Sequence, residues 1–231
     1  MPVAIITGAS KGLGRALGVA LAERGWDLVL DARTGSVLRD AAAEAGRYGT
    51  RVVAVAGDVT DAAHRAELVE AAKGLGGLDL LVNNASALGA EPLVRLEALD
   101  LDGLRAALET NVVAVLGLVH GTLGLLREAG GAVLSVSSDA AVEAYGTWGG
   151  YGASKAALDQ LSAVLAVEEP ELRVWAVDPG DMRTDLYAAA VPQDGDVRPE
   201  PETVVPALLR LLDERPASGR YTASALSAVA R

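Results

Sequence analysis

Cysteine and phenylalanine are both missing from this chain, and lysine and histidine are scarce, with three and two copies. Without cysteine there are no disulfides and no thiolate metal sites. Aromatics are only 3% of a chain that is 51% hydrophobic, so its core has to be aliphatic, built from Ala, Val and Leu. The two histidines, His64 and His120, stand alone and read as surface or packing residues, so no metal is expected. No 18 consecutive residues are free of charge, and Met1-Pro2 enters an apolar run with no charged segment ahead of it. The expectation is a cytoplasmic protein with no membrane partner. Positive charge is the minority: 20 Lys and Arg against 31 Asp and Glu leave a net −11. That balance opposes nucleic acid and anionic membrane as partners. It still permits an anionic cofactor, because a few cations and backbone N–H groups suffice to hold one.

What is present is a regular alternation of strand-like and helix-like segments over 231 residues, enough for one α/β domain. Strands are expected at Val3–Thr7, Asp27–Ala32, Arg51–Ala56, Leu78–Val82, Ala132–Val136, Arg173–Val177 and Arg220–Ala223. Helices are expected at Gly14–Arg24, Val37–Ala45, Leu104–Arg127, Tyr151–Val167 and Thr203–Asp213. A further helix carries Leu68, Ala71, Ala72 and Leu75, with Thr60 or Asp61 as its cap. Such βα alternation implies a parallel sheet covered on both faces. The stretch 181–201 is rich in Pro, Gly and acid, and reads as a loop on the substrate side of a pocket.

Two local patterns carry chemistry. Thr7-Gly8-Ala9-Ser10-Lys11-Gly12-Leu13-Gly14 joins the first strand to the first helix, where glycines let backbone approach a pyrophosphate and the helix N-terminus offers free N–H groups. Tyr151 and Lys155 are spaced by four, which places both on one helix face. A cation beside a phenol favours its ionised form and moves its titration toward working pH. The pair suits protonation of a developing alkoxide or deprotonation of an alcohol.

Together these stretches resemble the short-chain dehydrogenase/reductase family, in its compact branch with Thr-Gly-x-x-x-Gly-x-Gly and Tyr-x-x-x-Lys motifs. Further pieces follow in order: Asp58-Val59, Asn83-Asn84-Ala85-Ser86 with Ser86 in place of the family's glycine, Asn111 in the long helix, Ser138 thirteen residues before Tyr151, and Pro179-Gly180-Asp181-Met182-Arg183-Thr184. The resemblance implies a three-layer, doubly wound Rossmann fold with a mostly parallel sheet of about seven strands, forming a single oxidoreductase domain over 1–231. It implies Asn111, Ser138, Tyr151 and Lys155 as catalytic residues. Tyr151 is then the general acid/base, Ser138 the hydrogen-bond donor to the substrate oxygen, and Lys155 the holder of the nicotinamide ribose. Asn111 supports a water that links Lys155 to solvent.

The same resemblance assigns a dinucleotide to Gly8, Ser10, Lys11, Gly12, Leu13 and Gly14. It adds Asp58 and Val59, Asn84 to Ser86, Tyr151 and Lys155, and Pro179, Gly180, Met182 and Thr184. At the end of the second strand, Asp31-Ala32-Arg33-Thr34 decides between cofactors. Ala32 stands where NAD users carry an acid, and Arg33 and Lys11 stand where NADP users carry cations, so NADP(H) is favoured over NAD(H). Substrate contacts are expected from Ser138, Ala140, Tyr145, Trp148, Tyr151 and Tyr187, for a small, uncharged or weakly polar carbonyl or alcohol. An NAD-linked enzyme of the same reaction type, or a non-catalytic dinucleotide-binding regulator, are the other readings. Relatives pair as homodimers or homotetramers. The Ser218-Gly219-Arg220-Tyr221 segment here runs into an Ala/Ser-rich tail and departs from the family's tetramer-building end.

Overall fold

The computed structural model describes residues 1–228; the last three residues of the expected domain lie outside the described residues. The strands are β1 (Val3–Ile6), β2 (Asp27–Ala32), β3 (Val52–Ala56), β4 (Leu80–Asn83), β5 (Ala132–Val136), β6 (Arg173–Asp178) and β7 (Gly219–Thr222). All pair in parallel in the order β3-β2-β1-β4-β5-β6-β7. The inner strands are rich in buried apolar residues because both faces are covered, while the edge strands β3 and β7 are partly exposed. Alternation then divides each strand between two cores. Ala4, Ile6, Leu28, Leu30, Leu80, Val82 and Leu134 face one layer, and Val3, Ile5, Val29, Leu81 and Val133 face the other.

The first layer is closed by α1 (Gly12–Glu23), α2 (Gly35–Ala45), α8 (Val205–Glu214) and α9 (Ala223–Ala228); the second by α3 (Ala62–Leu75), the long helix and α6 (Gly149–Glu168). The core is aliphatic as expected, with one large exception. Trp175 on β6 is fully buried, and its indole N–H donates to the Pro216 carbonyl at 3.3 Å.

The long helix runs without a break from Leu101 to Ala129, as α4 (Leu101–Leu108), a π-helical turn Glu109–Val113, and α5 (Ala114–Ala129). It is long and apolar enough to cross a bilayer, yet Leu118, Val119 and Leu126 pack into the sheet's second core. Asp61, one of the two expected caps, accepts from the Ala63 N–H and starts α3.

Two expectations need correction. The 181–201 stretch is not all loop: it contains α7 (Asp185–Ala190), started by the Thr184 side chain, which accepts from the Tyr187 N–H. His64 does not stand alone either, because its ring is buried against Asp31.

The strand order reverses between β1 and β4, and the loops leaving their C-terminal ends open a crevice there.

Candidate active site

A cavity of about 670 Å³ occupies that crevice, and a second of about 310 Å³ adjoins it. The two share Gly8, Lys11, Ala85, Ser86 and Asp185, so they form one trough along the strand ends. The larger is bordered by the glycine turn, by Ser138, Tyr151 and Lys155, and by Pro179 to Tyr187.

The glycine turn is built for a close approach. Gly8 and Gly12 have φ of +64° and +53°, a region that disfavours any side chain, and a Cβ at Gly8 would fall 2.9 Å from the Ala85 backbone. α1 begins at Gly12, two residues earlier than its apolar pattern predicts. No side chain caps it, so its first N–H groups remain free for an anion. Gly14 borders neither cavity. A Cβ there would fall 2.5 Å from Asn84 Nδ2, so Gly14 serves close packing instead. Asn84 braces the turn, its amide donating to the Thr7 and Gly8 carbonyls at 2.8 and 3.1 Å.

Tyr151 and Lys155 sit on α6 and are almost completely buried. The Lys155 ammonium lies 5.5 Å from the centre of the phenol ring and donates to the Val136 carbonyl at 2.8 Å. Burial pushes Lys155 down to about 8 and Tyr151 up to about 12; the Ser86 hydroxyl beside the phenol pulls it the other way. In the cofactor-free protein, burial thus opposes the phenolate that a neighbouring cation favours. Ser138 Oγ also borders the cavity. It donates to Asp139 at 3.0 Å and accepts from the Ala140 N–H at 3.1 Å.

Asn111 lies in the π-helical turn, a distortion that is frequent at functional sites. Its amide donates to the Ala87 carbonyl and Ser154 Oγ, and its carbonyl accepts from the Ala87 N–H and Ser86 Oγ. All four side-chain bonds go to protein groups, so the side chain bolts the loop after β4 to α6.

At the other end of the trough, the smaller cavity is bordered by Ser10, Asp31, Ala32, Arg33, Asp58 and Val59. Asp58 is held ionised by the Thr60 N–H and hydroxyl. Arg33 is exposed and makes no hydrogen bond or ion pair among the described residues. Lys11 is engaged, 2.6 Å from Asp185 at the start of α7.

Of the expected substrate contacts, Ser138, Trp148, Tyr151 and Tyr187 border the large cavity. Trp148 meets Tyr151 edge to face, with ring centres 5.7 Å apart. Tyr145 is not itself in the lining; its hydroxyl is held by Asp139, which is, and by Glu143. Ala140 is not in the lining; it packs against Leu88, Tyr151 and Ala190, which are.

Sequence reasoning missed two features. Asp139, Asp178 and Asp181 together make the cavity mouth acidic, and burial pushes Asp178 and Asp181 upward. Arg220 on β7 donates to the Ser138 carbonyl and to Asp159, each at 2.9 Å. Neither has a local sequence signal.

Known proteins share this fold. A family model described as short chain dehydrogenase matches residues 2–195. Sepiapterin reductase of Mus musculus is 36% identical over 201 residues, covering 81% of this chain and 77% of that protein. An uncharacterised oxidoreductase of Saccharomyces cerevisiae is 35% identical over 187 residues, covering 80% and 72%. Among solved structures, an alcohol dehydrogenase from the archaeon Thermococcus sibiricus complexed with 5-hydroxy-NADP superposes with a TM-score of 0.87 at 28% identity, covering 96% and 95% of the two chains. A short chain dehydrogenase from Shigella flexneri 2a complexed with NADP gives 0.89 at 26% identity, covering 96% and 97%.

Proposed function

The chain belongs to the short-chain dehydrogenase/reductase family, and from that starting point we propose an NADP(H)-dependent oxidoreductase that moves a hydride between nicotinamide and a carbonyl or secondary alcohol. The observation that carries this reading is the sharing of one cavity by Ser138, Tyr151 and Lys155 with an uncapped helix N-terminus and its glycine turn.

The residues present fit a dinucleotide. The free N–H groups at the start of α1 would hold its pyrophosphate, and Asp58 and Val59 its adenine end. Pro179 to Thr184 would border the nicotinamide, and Lys155 would hold the neighbouring ribose. Bound there, the nicotinamide supplies or accepts the hydride.

Tyr151 gives a proton to the substrate oxygen during reduction and takes it back during oxidation. Ser138 turns its hydroxyl from Asp139 to the same oxygen, where negative charge develops. Lys155 favours the phenolate against the burial that opposes it. Asn111 acts as a positioning residue, holding the Ser86 loop against α6.

Preference for NADP(H) is supported by the absence of an acid at Ala32 and by the uncommitted Arg33 cation. The substrate is read as a small carbonyl compound without negative charge, given the acidic mouth. On the same reading the chain is one catalytic domain, works in the cytoplasm and forms a homodimer or homotetramer. Exposed Val113 at the end of the π-helical turn and Leu116 on α5, with Val164 and Val167 on α6, support pairing through those helices.

The test follows a panel of carbonyls and alcohols by NADPH absorbance, with Tyr151→Phe as control. Turnover in that variant falls about 10³-fold while NADPH binding stays within a few-fold. Full activity in Tyr151→Phe, or no turnover of any compound by the wild type, overturns the reading.

A further inference from the structure

We propose that His64 is a cofactor-selectivity residue: it ties up the Asp31 carboxylate beside the adenosine end of the trough and so keeps that end open to a 2′-phosphate. The inference rests on reading the trough as an NADP(H) site.

Asp31 is the penultimate residue of β2 and borders the smaller cavity, together with Arg33. An acid at the end of this strand ordinarily accepts from the adenosine ribose hydroxyls and repels a 2′-phosphate. Asp31 is held differently. Its side chain is buried, and His64 Nε2 lies 2.6 Å from Oδ1. Its backbone carbonyl accepts from the Ala9 N–H at 2.8 Å, which fixes the residue to the glycine turn. The bond to His64 therefore aims the carboxylate at α3, on the face of β2 opposite Ala32.

The arrangement needs a third residue. The His64 ring passes so close to Gly57 that a Cβ there would lie 2.3 Å from Nδ1. Gly57 thus leaves the room through which His64, in the first turn of α3, reaches across to β2. The nearby Asp58 carboxylate accepts from the Thr60 N–H and hydroxyl. Two carboxylates that would oppose a phosphate are both engaged by protein donors, and Lys11 is paired with Asp185, so Arg33 is the lining charge without a hydrogen-bond or ion-pair partner among the described residues.

A buried carboxylate that loses its only side-chain partner seeks another or seeks water. In His64→Leu the nearest open space for Asp31 is the smaller cavity, where it meets the ribose. Asp31 then competes for the hydroxyls of NAD(H) and repels the extra phosphate of NADP(H).

Equilibrium titration of NADPH and NADH, by quenching of protein fluorescence, gives the ratio of the two dissociation constants. In His64→Leu that ratio moves toward NADH by about tenfold or more, and in Asp31→Ala/His64→Leu it returns to the wild-type value. A folded His64→Leu with an unchanged ratio overturns the proposal, as does a shift that persists in the double variant. Should His64→Leu fail to fold, Asp31→Asn decides alone: it alters both affinities by the same factor, and a selective loss of NADH binding overturns the proposal. A wild type that prefers NADH defeats the NADP(H) reading on its own. The effect of His64 is judged by the change in ratio, whatever its starting value.

Discussion

Ser86 Oγ donates to Asn111 Oδ1 across 3.1 Å, at the position where the family pattern has glycine. The same hydroxyl sits beside the Tyr151 phenol and lowers its pKa against the effect of burial. Ser86→Gly therefore raises the Tyr151 pKa further. Alcohol oxidation, which needs a base, shifts its rising limb to higher pH, and its rate near pH 7 falls about 3- to 10-fold. Carbonyl reduction, which needs the acid, persists to higher pH. Identical pH–rate profiles for variant and wild type would show that Ser86 has no hold on the phenol.

Lys155 is an ammonium in a fully buried place, and its pKa is pushed from 10.5 to about 8. Below pH 8 both folded and unfolded chains carry the charge, so the folded state bears the full desolvation cost. Between about pH 8 and 10.5 the unfolded chain binds more protons, and stability rises with pH. Lys155→Met is expected to stabilise the cofactor-free protein at pH 7 by about 1–3 kcal/mol while abolishing turnover. Denaturant titrations at pH 7 and pH 10 check this. A variant less stable than wild type at pH 7 would contradict it.

Arg220 reaches from β7 to the Ser138 carbonyl and to Asp159 on α6. Arg220→Ala frees the backbone that carries the Ser138 hydroxyl. The expected signature is kcat lower by about tenfold with KM within about threefold, since a misplaced donor is felt most in the transition state. Arg220→Lys keeps one of the two contacts and recovers part of the loss. A change confined to KM would assign Arg220 to binding instead.

Asp139, Asp178 and Asp181 are among seven carboxylates that line the cavity against four cations, which leaves its wall net negative. Anionic carbonyls such as 2-oxo acids are expected to react more slowly than their esters. Asp181→Asn narrows the gap by about 3- to 10-fold in kcat/KM, with the effect weakening as salt is added. Equal rates for acid and ester in the wild type would remove the acidic mouth from any account of specificity.

The inner sheet was legible because burial on both faces enriches those strands in apolar residues; β2 has the expected bounds, Asp27–Ala32. Helix starts were less so. α1 begins inside the glycine turn, where the apolar period has not yet started. α7 is six residues long, too short to show a period among its Pro and acidic neighbours. Tyr151 and Lys155 could be read because their relation is local. Asp31 and His64 are 33 positions apart, and their contact depends on the missing side chain of Gly57. Ser138 and Arg220 are 82 apart and meet only because β7 lies beside β6. Relations of this kind are made by the folded sheet and leave no spacing in the sequence.

Trp148 and Trp175 occupy opposite situations, one edge-on to Tyr151 at the cavity wall, the other sealed inside the sheet. With only three tryptophans and no phenylalanine in the chain, the emission spectrum resolves into few sources. Occupancy of the cavity is reported by Trp148, and loss of the core by Trp175, whose emission moves to the red once water reaches β6. A Trp148→Phe background silences the first signal and leaves the second, so comparing it with the wild type separates ligand binding from unfolding.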